Sequence, residues 1–198
     1  MRAWALVVLA AVALVVYTLD QTAKIWVTEN LELGVPHQVL GPLLTVQFVK
    51  NPGAAFSLAS GATWIFSIVA AMVTVFIIWF APRIRSMGWA IMFGLLLGGV
   101  LGNLTDRLFR DPGFAVGHVV DFLKIPFLPA IFNIADVGIV SSMGLFIILT
   151  IRGVALDGTR HVKRAGGSPD ETVADREPHA DQDALGPDHQ QPNPELKG

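Results

Sequence analysis

Apolar runs of membrane-spanning length constrain this chain more than any other feature. Ala3 to Leu19 reads AWALVVLAAVALVVYTL, and Thr63 to Phe80 reads TWIFSIVAAMVTVFIIWF. A third run opens at Trp89, and a fourth covers Ile131 to Ile151. Roughly 20 apolar residues in a helix cross a ~30 Å hydrocarbon core. Backbone polar groups in lipid must be satisfied within the segment, which selects helices. The expectation is a mainly α membrane protein, a four-helix bundle with spans at about 3–19, 63–80, 89–108 and 131–151. Arg2 followed by an apolar run also fits a secretory signal. Asp20 and Gln21 stand where a small-residue cleavage site would be, so the run is read as an uncleaved span. With 53% hydrophobic and only 15% charged residues, the domain is expected to lie mostly in lipid. A formal net charge of -2 offers no basic face, so no nucleic-acid partner is expected. The absence of cysteine excludes disulfides, thiolate metal sites and a cysteine nucleophile.

The segments between the runs differ in character. Residues 29–60 contain Pro36, Gly41, Pro42, Pro52 and Gly53, with a strand-like run at Leu43 to Lys50. They predict a small extracytoplasmic β-sheet segment between the first two helices. Asn51-Pro52-Gly53 is a turn signal, since Pro fixes φ and Gly permits positive φ. Ala54, Ala55, Phe56 and Ser57 follow it. Gly94, Gly98 and Gly102 recur every four residues, the small-xxx-small pattern of close helix packing in lipid. Packing within a monomer is the preferred reading of that stripe, and a dimer contact the other. From Asp157 the chain is polar and rich in Pro and Gly, too poor in apolar side chains to offset its ordering entropy. A four-span domain over 1–156 and a disordered tail over 157–198 are therefore expected. His161, His179 and His189 in that tail show no ligand spacing, so no metal is expected.

Basic residues set the orientation. Arg2, Arg83, Arg85, Arg152, Arg160, Lys163 and Arg164 fall at one end of a four-span bundle, which the positive-inside rule assigns to the cytoplasm. Lys24, Lys50, Arg107, Arg110 and Lys124 fall at the other end, amid acids. Both termini are expected to be cytoplasmic.

That orientation gathers polar groups at the outer face: Asp20 and Lys24, Asn51 to Ser57, Asn103 with Asp106 and Arg107, Asp121, and Asn133 with Asp136. Asp20 and Lys24 are four apart, so they share a face if the helix continues. Ionisable groups at a span are costly and mark functional sites by default. Sequence neighbours suggest partners for several: Lys24 for Asp20, Arg107 for Asp106, Arg110 for Asp111. Asp121, between apolar residues, and Asp136, inside a span, have none. Two close carboxylates share one proton and can split water without a cofactor, as in aspartic proteases. Three readings stand on these residues: a catalytic aspartate pair, a proton or ion relay in a transporter, and a polar network that only locks helix packing.

Five motifs in order decide among them. Asp20-Gln21-x-x-Lys24, Asn51-x-Gly53-Ala54-Ala55-Phe56-Ser57, Gly99-x-x-Gly102-Asn103-x-x-Asp106-Arg107, Val119-Val120-Asp121-Phe122 and Phe132-Asn133-x-Ala135-Asp136-x-x-Ile139 together resemble the lipoprotein signal peptidase (signal peptidase II) family, over about residues 5–152. The resemblance implies an aspartic endopeptidase of the bacterial inner membrane, with no cofactor and its active site near the outer face. Its substrate is a lipid-modified prolipoprotein, cleaved just before the diacylglyceryl cysteine. It implies Asp121 and Asp136 as catalytic. Asp20, Lys24, Asn51, Gly53, Asn103, Asp106, Arg107 and Asn133 are implied as substrate-binding or supporting residues. Membrane lipids are expected as neighbours and a monomer as the working unit. Trp26, Phe48, Phe56 and Phe127 are candidates for contact with acyl chains or the signal helix, and equally for plain packing or membrane-belt roles.

Overall fold

A computed structural model describes residues 2–53 and 63–159. The Ala54 to Ser57 motif, Phe56 and the tail beyond residue 159 lie outside the described residues. Among the described residues, four helices are long and apolar enough to cross a membrane: α1 (Arg2–Asn30), α2 (Thr63–Phe80), α3 (Met87–Phe109) and α4 (Ile134–Ile151). Strands β1 (Pro36–Gln38), β2 (Thr45–Asn51) and β3 (Val119–Lys124) form one antiparallel sheet in the order β1-β2-β3.

α3 is the central helix, with most of its span buried where the other three are mainly exposed. Its glycines account for this. A Cβ at Gly94 would lie 2.8 Å from the Leu9 carbonyl oxygen, and one at Gly98 would lie 2.6 Å from that of Ala13. A Cβ at Gly102 would meet the Asp20 carboxylate, and one at Gly99 would strike the Ala135 carbonyl of α4. The stripe thus seats α1 against α3 within one chain, while Gly99 seats α4 beside it. On α1, Ala5, Leu9 and Ala13 are buried at four-residue spacing, and Asp20, Lys24 and Val27 continue the buried face.

Several boundaries differ from expectation. The first span does not stop near residue 19; α1 continues to Asn30. Asp20 and Lys24 are fully buried against α3, so the polar residues prolong the packed face instead of ending it. The fourth helix begins at Ile134, not Ile131, because Asn133 caps it. The third helix begins at Met87 and ends at Phe109, two residues earlier and one later than expected. The sheet between helices 1 and 2 takes its third strand from the α3–α4 connection. Within that connection Val119–Phe122 are all buried.

The chain after α4 also folds back. The Leu156 carbonyl accepts the backbone N–H groups of Arg85 and Ser86 at 3.0 and 2.9 Å. The Trp89 indole donates to the Val154 carbonyl at 2.9 Å. Val154 and Leu156 pack on the core, and Asp157 accepts the Thr159 hydroxyl and amide. The chain after α4 therefore packs back on the bundle through Leu156. A separate outer cluster of Val27, Phe48, Val120 and Phe122 joins the sheet to α1. Phe48 is thus a packing residue, whereas Trp26 and Phe127 are exposed.

Candidate active site

The site forms where β3 meets the start of α4. β3 aims Asp121 away from the cluster that holds Val120 and Phe122, as strand alternation requires. Asp136 is residue N3 of α4, in a capping box with Asn133. The Asn133 side-chain oxygen accepts the Asp136 backbone N–H at 2.9 Å, and the Asp136 Oδ2 accepts the Asn133 backbone N–H at 3.1 Å. This reciprocal cap satisfies two donors that a helix start leaves open.

Asn133 also reaches the other aspartate, its Nδ2 donating to Asp121 Oδ1 at 2.7 Å. One residue therefore holds both carboxylates, which lie fifteen positions apart in sequence. Asn51, the last residue of β2, donates to Asp121 Oδ2 at 2.7 Å. Asn103 on α3 donates to Asp136 Oδ1 at 2.9 Å. Each of the four carboxylate oxygens thus has one donor. Asp121 is buried, and Asp136 is half-buried. Burial pushes the Asp121 carboxyl up from its ordinary 3.8 to about 6. The Asn51 hydrogen bond opposes that rise, the Asp136 charge adds to it, and Asn133 and Lys24 oppose it.

Beneath the aspartates lies a buried ion network. Lys24 Nζ sits 2.8 Å from Asp20 Oδ2, 2.8 Å from Asp106 Oδ2 and 3.0 Å from Asn103 Oδ1. Asp20 Oδ1 accepts the Ala135 N–H of α4, and Asp106 Oδ2 accepts the Val120 N–H of β3. The network therefore fixes the first turn of α4 and the strand that carries Asp121. The expected Asp20–Lys24 pair is present. The other two neighbour pairings are not: Arg110 pairs with Asp106 at 2.7 Å, and exposed Asp111 faces Lys50 at 3.7 Å. Adjacent helix residues point apart, whereas residues four apart share a face.

Arg107 goes elsewhere. Its guanidinium lies 5.2 Å from the Phe66 ring centre, and its Nη1 is buried with no partner among the described residues. Gly53, at φ +97°, lies alongside; a Cβ there would sit 2.8 Å from Phe66 and 3.2 Å from Arg107 Nη2. The Gly53 N–H donates to Asn51 Oδ1, which turns the Asn51 amide toward Asp121.

All ten residues expected at the site thus fall in one cluster. Gln21, named in the first motif but given no role, donates to Asp20 and to the Gly102 carbonyl. Sequence reasoning missed Arg110 as partner of Asp106, and Phe66. The i, i+4 spacing of Asp106 and Arg110 was an available signal; nothing local marks Phe66. The clefts at the opposite end, around Trp79, Arg83 and Arg85 or around Trp4 and Ser86, touch none of these residues.

Comparison with known proteins gives a consistent result. A family model described as signal peptidase (SPase) II matches residues 12–152. A lipoprotein signal peptidase of Leifsonia xyli subsp. xyli is 62% identical over 178 residues, covering 87% of this chain and 82% of that protein. One from Rhodococcus jostii is 45% identical over 152 residues, covering 77% and 76%. A solved structure described as a bacterial membrane enzyme, determined by the in meso method, aligns with a TM-score of 0.65 at 26% identity. It covers 73% of this chain and 88% of its own.

Proposed function

The chain belongs to the signal peptidase II, or lipoprotein signal peptidase, family, and from that premise we propose that it cleaves diacylglyceryl-modified prolipoproteins just before the lipidated cysteine, using Asp121 and Asp136 as an aspartic dyad. The observation that carries the dyad is Asn133, which holds both carboxylates at once. In this reading the pair shares one proton at rest. Asp121, the more deeply buried member, holds it, and Asp136 is ionised. Asp136 takes a proton from a water as that water attacks the scissile carbonyl carbon. Asp121 gives its proton to the carbonyl oxygen. The gem-diol intermediate then collapses: one hydroxyl returns its proton to Asp121 as the carboxyl group forms, the C–N bond breaks, and the cysteine nitrogen leaves as an amine with the proton held by Asp136. No covalent enzyme intermediate is needed.

The remaining residues divide the work. Arg107 Nη1 and the Gly53 backbone face the substrate main chain, which a buried guanidinium N–H without a partner among the described residues is suited to hold. Asn51, Asn103 and Asn133 aim the carboxylates. Asp20, Lys24 and Asp106 lock α1, α3, α4 and β3 into one frame. The substrate arrives laterally from the bilayer, so a site at the membrane face suits both its lipid and the water that hydrolysis consumes. Both termini and the Arg83, Arg85 and Arg152 end are cytoplasmic, the dyad is near the outer face, and the monomer carries a complete site.

The test is cleavage of a diacylglyceryl-modified precursor by Asp121→Asn and Asp136→Asn, each purified folded. Each is expected to lose at least about a thousandfold in kcat, as when an essential acid or base is removed. Substantial activity in either variant removes that aspartate from the mechanism. A relay in a transporter instead predicts proton flux in liposomes and no cleavage by the native protein.

A further inference from the structure

Asn103 has a carboxamide whose two ends face opposite demands. Its Nδ2 donates to Asp136 Oδ1 at 2.9 Å. Its Oδ1 accepts from Lys24 Nζ at 3.0 Å and from Asn133 Nδ2 at 3.1 Å. A lysine ammonium offers donors only, and an ionised carboxylate only acceptors. The ammonium has three protons and three partners, Asp20, Asp106 and Asn103. Nothing in that arrangement leaves the amide free to turn.

We infer that Lys24 is a positioning residue for the dyad, acting through Asn103: it pins the amide so that a donor, never an acceptor, faces Asp136. The inference rests on the reading of Asp121 and Asp136 as the catalytic pair. Without Lys24, the Asn103 amide can rotate by half a turn and present its oxygen to Asp136. An oxygen facing a carboxylate oxygen is tolerable only if a proton lies between them. The flipped state therefore draws the shared proton onto Asp136, the residue assigned to activate water. Asn133 is subject to the same logic. Its Oδ1 is held by the Asp136 backbone N–H, so its Nδ2 serves both Asp121 and Asn103. Lys24 and that backbone N–H together give the whole chain of amides one direction. The charged groups facing Lys24 are Asp20 on its own helix and Asp106 on α3, with Arg110 balancing Asp106 from the far side.

Replacing Lys24 alone strands the buried Asp20 carboxylate and leaves Asp106 with Arg110 only, which can prevent folding. The informative variant is therefore Lys24→Met with Asp20→Asn and Asp106→Asn, which removes the three buried charges and leaves only the part-exposed Arg110 to be hydrated. The new amides can still accept the Ala135 and Val120 N–H groups. With a lipidated precursor, this triple variant is expected to fall about ten- to hundredfold in kcat, the scale of one hydrogen bond to a charged group. KM should stay within about twofold, and the acidic limb of its pH–rate profile should move to higher pH. A second arm uses the native protein, with side-chain nitrogen labelling of asparagine: the Asn103 amide protons should exchange slowly, one of them in a carboxylate hydrogen bond. A triple variant that folds and keeps native kcat and pH profile overturns the inference, and so does a native Asn103 amide that rotates or exchanges freely. Failure of the native protein to cleave any lipidated precursor would instead overturn the peptidase reading itself.

Discussion

Asp121 is expected to work against the stability of the fold in its ionised form, and that cost is measurable. Its carboxyl is pushed from 3.8 to about 6, first by burial. A folded-state pKa above the unfolded value means the native state binds the proton more tightly. The associated stability is fully present below about pH 4 and is lost as pH rises through about 6. A shift of about two units corresponds to roughly 3 kcal/mol, as an upper bound. Asp121→Asn cannot ionise and escapes this loss. It does carry a separate, pH-independent cost. Asn51 and Asn133 both donate to position 121, so one donor of the new amide meets another donor. An unsatisfied buried donor costs about 1–3 kcal/mol. The clean readout is therefore the slope, not the level. Thermal unfolding of both proteins in the same detergent, from pH 4 to pH 8, should show the variant gaining on the native protein as pH rises. The gain should reach up to about 3 kcal/mol by pH 7 and then level off. Parallel curves, or a variant that loses ground with rising pH, would refute the assignment of a raised carboxyl at this position.

Other sites give sharper local tests. Gly53→Ala meets both a positive φ and the Phe66 ring, and is expected to cost about 1–3 kcal/mol and to slow cleavage by displacing Arg107; thermal unfolding and cleavage rates check both. Gly98→Val drives a Cβ into the Ala13 carbonyl, a backbone atom that cannot step aside, and should cost at least about 1–3 kcal/mol. Gly144→Ala on α4 meets nothing within 4 Å and should stabilise by about 0.5–1 kcal/mol, so the two variants should shift unfolding in opposite directions. Ending the chain after Thr159 should leave unfolding temperature and cleavage unchanged. Ending it after Gly153 removes Val154 and Leu156 with three hydrogen bonds to the α2–α3 turn and Trp89, and should lower the unfolding temperature by several degrees.

The helices were legible because hydrocarbon permits so few structures: length and apolarity alone placed α2 to the residue. The polar cluster was legible for the same reason, since a carboxylate beside a span must have a purpose. What sequence could not show was how the groups partition. Asp20 and Lys24 look like the polar end of a span, and only burial against Asp106 reveals that the helix runs ten residues further. β3 is hidden because both of its faces are covered, which erases the alternation that announces a strand. Asn133 reads as the first turn of a helix, yet it is the cap, and capping is what leaves its Nδ2 free for Asp121. Apart from Asp106 and Arg110, which are four residues apart, each miss concerns a residue whose partner is distant in sequence, where periodicity carries no information.

The charges sort into two groups with different consequences. Asp20, Lys24, Asp106 and Arg110 form a set of two acids and two bases, buried except for the part-exposed Arg110 and closed by contacts of 2.7–2.8 Å. A balanced set exerts little net field beyond its own neighbourhood, so it can fix α1, α3, α4 and β3 without strongly biasing the dyad. Asp121, Asp136 and Arg107 form the unbalanced set, with two carboxyls near one guanidinium that lacks a partner on Nη1 among the described residues. One proton shared by the carboxyls would bring this second set to neutrality as well. The resting state proposed for catalysis, one proton on the pair, is then also the state of least charge at the membrane face. A doubly ionised pair leaves a net negative charge there, and a doubly protonated pair leaves Arg107 uncompensated. Activity should accordingly fall on both sides of a maximum. Arg107→Met should move both limbs of that profile to higher pH, because removing the cation makes each carboxyl proton harder to lose.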